Sequence, residues 1–188
     1  NSELKSIEKF SFYQSAIKNI SLPVHITEIG DYAFYFSNLK RVRIHKNSEI
    51  RMIGKLAFDN SSIEWFSIPI NVTIIKEKSF SQCNKLKMVE VSEKSKLQVI
   101  ENEAFYNSAI EKFSIPSCLT VISEFSFALC LNLKIFTIPS NSELREIKKH
   151  AFLSSAIESF VIPSHVTEIG DQAFLNCNNL QIVEIEEN

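Results

Sequence analysis

The sequence predicts a solenoid of the α/β type, a stack of short coils in which each coil contributes one strand and one tight 3₁₀ or helical turn. Three observations predict it. Phenylalanine recurs in phase at Phe12, Phe34, Phe58, Phe80, Phe105, Phe127, Phe152 and Phe174, with gaps of 22, 24, 22, 25, 22, 25 and 22 residues. The same apolar frame surrounds each one, most clearly as Val166, Ile169, Ala173, Phe174, Cys177, Leu180, Val183 and Ile185. The composition is skewed to 15 Phe against 3 Gly in 188 residues, as one structural device used repeatedly would leave it.

The segment Leu180, Val183, Ile185 ends in alternation, which is a strand signal, and its inward positions are Val, Ile or Phe throughout. Pro116, placed after the last residue of such a strand, stops the ladder and starts a turn. The Ala173-Phe174 to Cys177 segment is too short for a stable helix and fits a single 3₁₀ or α turn. The residue before each Phe is always small (Ser11, Ala33, Ala57, Ser79, Ala104, Ser126, Ala151, Ala173), as a close approach of two backbone layers requires. Gly30, Gly54 and Gly170 share a turn position that Glu8, Lys76, Glu101, Ser123 and Lys148 fill elsewhere, so that position does not demand φ > 0. Successive gaps sum to 46 or 47, so the unit is a double repeat. Odd halves carry Ser15, Ser61, Ser108 and Ser155 three residues after the Phe. Three even halves carry Cys83, Cys130 and Cys177 there, and Ser37 is the exception. The phase runs through residues 1–188 as a single array of about eight repeats, or four double repeats. One repeat cannot bury its apolar face, but a stack can, with the Phe column as a ladder down the core.

With 45% hydrophobic and 22% charged residues the chain builds a core, and a net charge of −2 argues against a nucleic-acid partner. No apolar run approaches the roughly 18 residues of a membrane span. Cys83, Cys130 and Cys177 lie two coils apart, about 10 Å, beyond disulfide reach, and are expected to be a buried column of free thiols. Cys118 shares a polar turn column with His25, Asn71 and His165 and is expected to be a partly exposed thiol. His25 and His165 are too far apart to share an ion, and His45 and His150 fall in other columns. Only three Asp occur: Asp31, Asp59 and Asp171. No phosphate loop, dinucleotide fingerprint or nucleophile elbow is present, so no catalytic residue, metal or cofactor is expected.

The frame I-P-x2-V-x2-I-G-x3-A-F-x2-C-x2-L-x2-V-x-I, read from Ile162-Pro163 to Ile185 and again from Leu22-Pro23 to Phe34, resembles the leucine-rich repeats of BspA-like surface proteins. The resemblance covers the whole chain. It implies a right-handed leucine-rich repeat coil with a parallel sheet on its concave side and short turns on its convex side. It also implies a non-enzymatic role at a cell surface or outside the cell, in adhesion and in binding host, matrix or surface proteins. No catalytic residue or ligand contact carries over from it.

Residues flanking the inward Val of each strand should point outward from the sheet. That places Arg41, Arg43, Trp65, Met88 and Glu90 on one patch with His45 at its rim, the candidate protein-binding site. Trp and Arg are the residues that dominate interface hot spots. Two rival functions fit the same sequence: an intracellular, cytoplasmic scaffold, because free thiols suit the cytosol, and a purely architectural spacer. The sequons at Asn19, Asn60 and Asn71 fit a glycosylated surface protein. Asn1-Ser2-Glu3-Leu4 matches Asn141-Ser142-Glu143-Leu144, and no atypical capping unit is visible at either end. The expectation is a piece of a longer array, with any signal peptide outside this chain, or ends that associate end to end.

Overall fold

The structure is a computed structural model that describes residues 2–187; Asn1 and Asn188, the ends of the predicted array, lie outside the described residues. Each coil holds two strands. Coils 1 to 4 hold β1 (Ser6–Ile7) and β2 (Asn19–Leu22), β3 (Glu28–Ile29) and β4 (Arg41–Ile44), β5 (Met52–Ile53) and β6 (Trp65–Ile68), then β7 (Ile74–Ile75) and β8 (Met88–Val91). Coils 5 to 8 hold β9 (Val99–Ile100) and β10 (Lys112–Ser114), β11 (Val121–Ile122) and β12 (Ile135–Thr137), β13 (Glu146–Ile147) and β14 (Ser159–Ile162), then β15 (Glu168–Ile169) and β16 (Ile182–Ile185). The longer strands stack in parallel as a six-stranded sheet from β2 to β12 and a two-stranded sheet of β14 and β16. The two-residue strands form a second parallel face, five-stranded from β1 to β9 and three-stranded from β11 to β15. The expectation of one strand per coil missed this second face, because a two-residue strand has no alternation to read.

The core lies between the faces. The eight Phe rings stack nearly parallel, with centroid separations from 5.1 Å for Phe12 and Phe34 to 5.6 Å for Phe127 and Phe152. Rings from the long strands form a second row wedged against the first: Phe66 sits 5.2 Å from Phe58 and 5.0 Å from Phe80, and Phe113 sits 5.1 Å from Phe105 and 4.9 Å from Phe127.

The expected 3₁₀ or helical turns are not there. Among the described residues there is no helix. Each A-F segment is instead a ladder of tight turns in which alternate amides serve different partners. In coil 2, the Ala33, Tyr35 and Ser37 amides donate back to the carbonyls of Gly30, Tyr32 and Phe34, while Tyr32, Phe34 and Phe36 donate to Lys55, Ala57 and Asp59 of the next coil. Such an alternation turns every second N–H outward, which a helix cannot do. Its backbone cost is visible: in every coil the residues two before and two after the ladder Phe have φ between 50° and 60°, none of them glycine. The glycines themselves sit elsewhere, and none has positive φ. Gly54 is instead a close approach, since a Cβ there would lie 2.5 Å from the backbone carbon of Gly30.

The left-handed positions carry a signature that the sequence displays but that period-reading misses. None of the sixteen is Val, Ile or Thr, the types least tolerant of that region. Ser154, at φ 55° in coil 7, tests the point. Ser154→Val should lower stability by about 1–2 kcal/mol, while Ser154→Gly should not lower it, both read from urea unfolding. Equal losses in the two variants would mean that the side chain, not the backbone, matters there.

Candidate functional site

The face of the long strands is set by alternation. Val42, Phe66, Val89, Phe113, Phe136 and Phe160 point inward and are buried, so their neighbours along each strand point out. Pairing aligns these neighbours in rows across the coils: Asn19 with Arg41, Arg41 with Trp65, Trp65 with Met88, Met88 with Lys112 and Lys112 with Ile135. The companion row runs Ser21 with Arg43 and Ser67 with Glu90. Arg41, Trp65 and Met88 are therefore consecutive in one row, about 4.8 Å apart per coil, with Arg43 and Glu90 in the row beside it. Trp65 is 39% exposed, a large value for a residue flanked on both sides.

His45 lies at the rim of this group. Its Nδ1 accepts the Asn47 amide at 3.1 Å, so the neutral ring carries its proton on Nε2. Together with Ile44, Trp65, Ser67 and Pro69 it lines a shallow depression beside the strand ends. Arg41 and Arg43 flank a second depression with Asn19 and Ser21. Among the described residues, neither guanidinium has an ion-pair or side-chain hydrogen-bond partner. In the column just outside the row, Lys40 pairs with Glu64 at 3.6 Å, Lys87 with Glu111 at 3.5 Å and Lys134 with Glu158 at 3.4 Å. These pairs are solvent-exposed and contribute little stability, but they leave the arginines as unpaired charge on the face.

Two exposed apolar groups lie beyond the candidate patch. Ile135 (60% exposed), Val161 (40%) and Ile182 lie on the long-strand face of coils 6 to 8. The strand alternation expects these positions to point outward, and they do. On the turn ladder of coils 1 and 2, Phe10, Tyr13, Tyr32, Tyr35 and Phe36 pack against one another, with Phe10 and Tyr32 4.7 Å apart and the Lys9 ammonium 5.1 Å from the Phe10 ring centre.

The cysteines sort by burial. Cys83 and Cys130 are fully buried; each thiol donates to the carbonyl of a ladder Phe one coil earlier, Phe58 at 3.0 Å and Phe105 at 3.1 Å, beside Ser61 and Ser108. Burial pushes both thiols up to about 12. Cys177 keeps the same contacts, to Phe152 and Ser155, but is only partly buried, in coil 8, so it departs from the buried column expected of it. Cys118 is partly buried and donates to the carbonyls of Ser95 and Leu97. All four are free thiols. Ellman's reagent at pH 8 should label Cys118 and Cys177 slowly in the native protein, and Cys83 and Cys130 only on unfolding; fast native labelling of all four would show that the column is not closed. No group of three or more His, Cys, Asp or Glu among the described residues could hold a metal ion, and no helix among them is long and apolar enough to cross a membrane.

This coil, with its Phe ladder and outward rows, matches a known repeat: the family model for the BspA type leucine-rich repeat region, in six copies, covers residues 1–87 and 51–181. The chain belongs to the BspA-type leucine-rich repeat family. Among solved structures, this BspA-type array is similar to a leucine-rich cell surface protein of Faecalibacterium prausnitzii, at 25% identity and a TM-score of 0.55 over 96% of the chain. It is also similar to a leucine-rich repeat protein of Eubacterium ventriosum, at 26% identity and a TM-score of 0.54 over 100% of the chain. A leucine-rich repeat protein of Bacteroides ovatus, 18% identical, shares the fold with a TM-score of 0.69 over 97% of the chain. The chain spans 64%, 59% and 64% of those three proteins. No curated protein matches it.

Proposed function

We propose that this BspA-type array is a non-enzymatic protein-binding module that works at a cell surface or outside the cell, in adhesion to a host, matrix or surface protein. The observation that carries the reading is the row of Arg41, Trp65 and Met88 beside Arg43, in which unpaired guanidiniums flank a half-exposed indole. Arginine and tryptophan concentrate binding energy when a partner desolvates them. His45 and Glu90 complete the rim, and the free guanidiniums select a partner that presents carboxylates. The likeness to a cell surface protein of Faecalibacterium prausnitzii supports the location.

The test is binding to an array of extracellular-matrix and cell-surface proteins, followed by mutation. Trp65→Ala and Arg43→Ala should each weaken the captured interaction by about 2 kcal/mol, roughly 30-fold, without changing the circular dichroism spectrum. Unchanged affinity in both variants moves the site off this face. One observation favours the alternative of an intracellular scaffold, the four free thiols. A signal peptide in the full-length gene would rule that alternative out.

A further inference from the structure

The long-strand face is not uniform along its length. At coils 1 and 2 it presents Asn19, Ser21, Arg41 and Arg43, polar and cationic. At coils 6 and 7 it presents the exposed aliphatics Ile135 and Val161 beside Thr137 and Ser159, with Glu184 of the next strand paired to Val161. Phe136 and Phe160 stack 5.8 Å apart beneath, so the outward direction continues from coil 6 to coil 7 although β12 and β14 share no hydrogen-bonded ladder. Trp65 and Met88 lie between the two ends, and a groove lined by Glu90, Lys112, Ser114 and Ile135 runs toward the aliphatic one.

We infer that this face binds an extended segment of a protein partner, laid across the strands, with carboxylates at one end and aliphatic side chains at the other. The inference rests on the protein-binding reading above and adds the chemistry and the length of what is bound. Charge complementarity fixes one end, because Arg41 and Arg43 have no partner among the described residues while Lys40, beside Arg41, is paired with Glu64. Exposed aliphatics on the same face fix the other, since a strand side chain left in water gains only when something covers it. Distance fixes the length. Four to five coil spacings of about 4.8 Å separate Arg41 and Arg43 from Ile135 and Val161, about 19–24 Å. An extended chain at about 3.3 Å per residue crosses that gap in six or seven residues.

Fluorescence anisotropy with synthetic nine-residue peptides tests this on the whole chain. The probe carries two acidic residues at one end, two aliphatic residues at the other and a serine-glycine spacer of five. A control of identical composition has the four residues adjacent. The probe should bind at least tenfold more tightly than the control. Ile135→Thr and Val161→Thr, which keep a β-branched side chain in the strand, should remove the advantage of the aliphatic end, and Arg43→Ala that of the acidic end. Equal affinity for probe and control, or no binding of either at millimolar concentration, overturns the inference. A protein partner that loses affinity with Arg43→Ala and Trp65→Ala but not with Ile135→Thr overturns it too, while leaving the protein-binding reading in place.

Discussion

Phe105→Ala should lower the unfolding free energy by about 3–5 kcal/mol, the cost of emptying a fully buried phenylalanine site. The ring touches Phe80 at 5.3 Å, Phe127 at 5.4 Å and Phe113 at 5.1 Å, so its loss strips contacts from three others at once. Position matters in a quasi-one-dimensional array, where each coil is held only by its neighbours. Coil 5 lies in the middle, and weakening it uncouples the coils on either side. Leu131→Ala, at a position 64% exposed outside the ladder, should cost clearly less. Urea unfolding followed by circular dichroism compares the two. Equal losses would mean that the ladder aligns the coils without holding them.

Raising the pH from 7.5 to 10 should remove about 3 kcal/mol of stability through Cys83 and Cys130. Burial holds their thiols up to about 12 in the folded chain, against an ordinary value of 9.0 once unfolded. Above pH 9 the unfolded chain therefore holds fewer protons than the folded one, and stability falls as pH rises, by about 1.4 kcal/mol per pH unit for each thiol. Below pH 9 both states are protonated and the contribution is fully present. The double variant Cys83→Ala with Cys130→Ala has no thiol to ionise in either column position. Its loss between pH 7.5 and 10 should be smaller by about 3 kcal/mol, which separates the thiols from lysine and tyrosine titrating in the same range. An identical pH dependence in the two proteins would show that water reaches these sites in the folded state.

Much of the fold was legible because stacking copies each residue's environment into the next coil. A column that is always Phe must be core, and a column that is always Ala or Ser must be a close approach. The alternation Arg41, Val42, Arg43 shows on its own that both arginines face outward. The turns were misread because the A-F segment looks, in isolation, like the start of a helix. The partner of every second amide in it lies 21 to 24 residues away, so no local pattern reveals it. The same alternation places Ile135 and Val161 outward, although their side chains taken alone are those of core residues.

The sequence by itself determined the coil length, the columns and which side chains are inward, because all of these follow from period and alternation. The tertiary structure alone decided three things. It put two left-handed residues beside each ladder Phe, and in coils 1 to 7 the amides of both donate to carbonyls of the next coil. It buried Cys83 and Cys130 and aimed each thiol at the carbonyl of a ladder Phe one coil earlier. It left Arg41 and Arg43 unpaired while Lys40, one position away, found Glu64, since pairing across coils depends on which charge the next coil brings into reach.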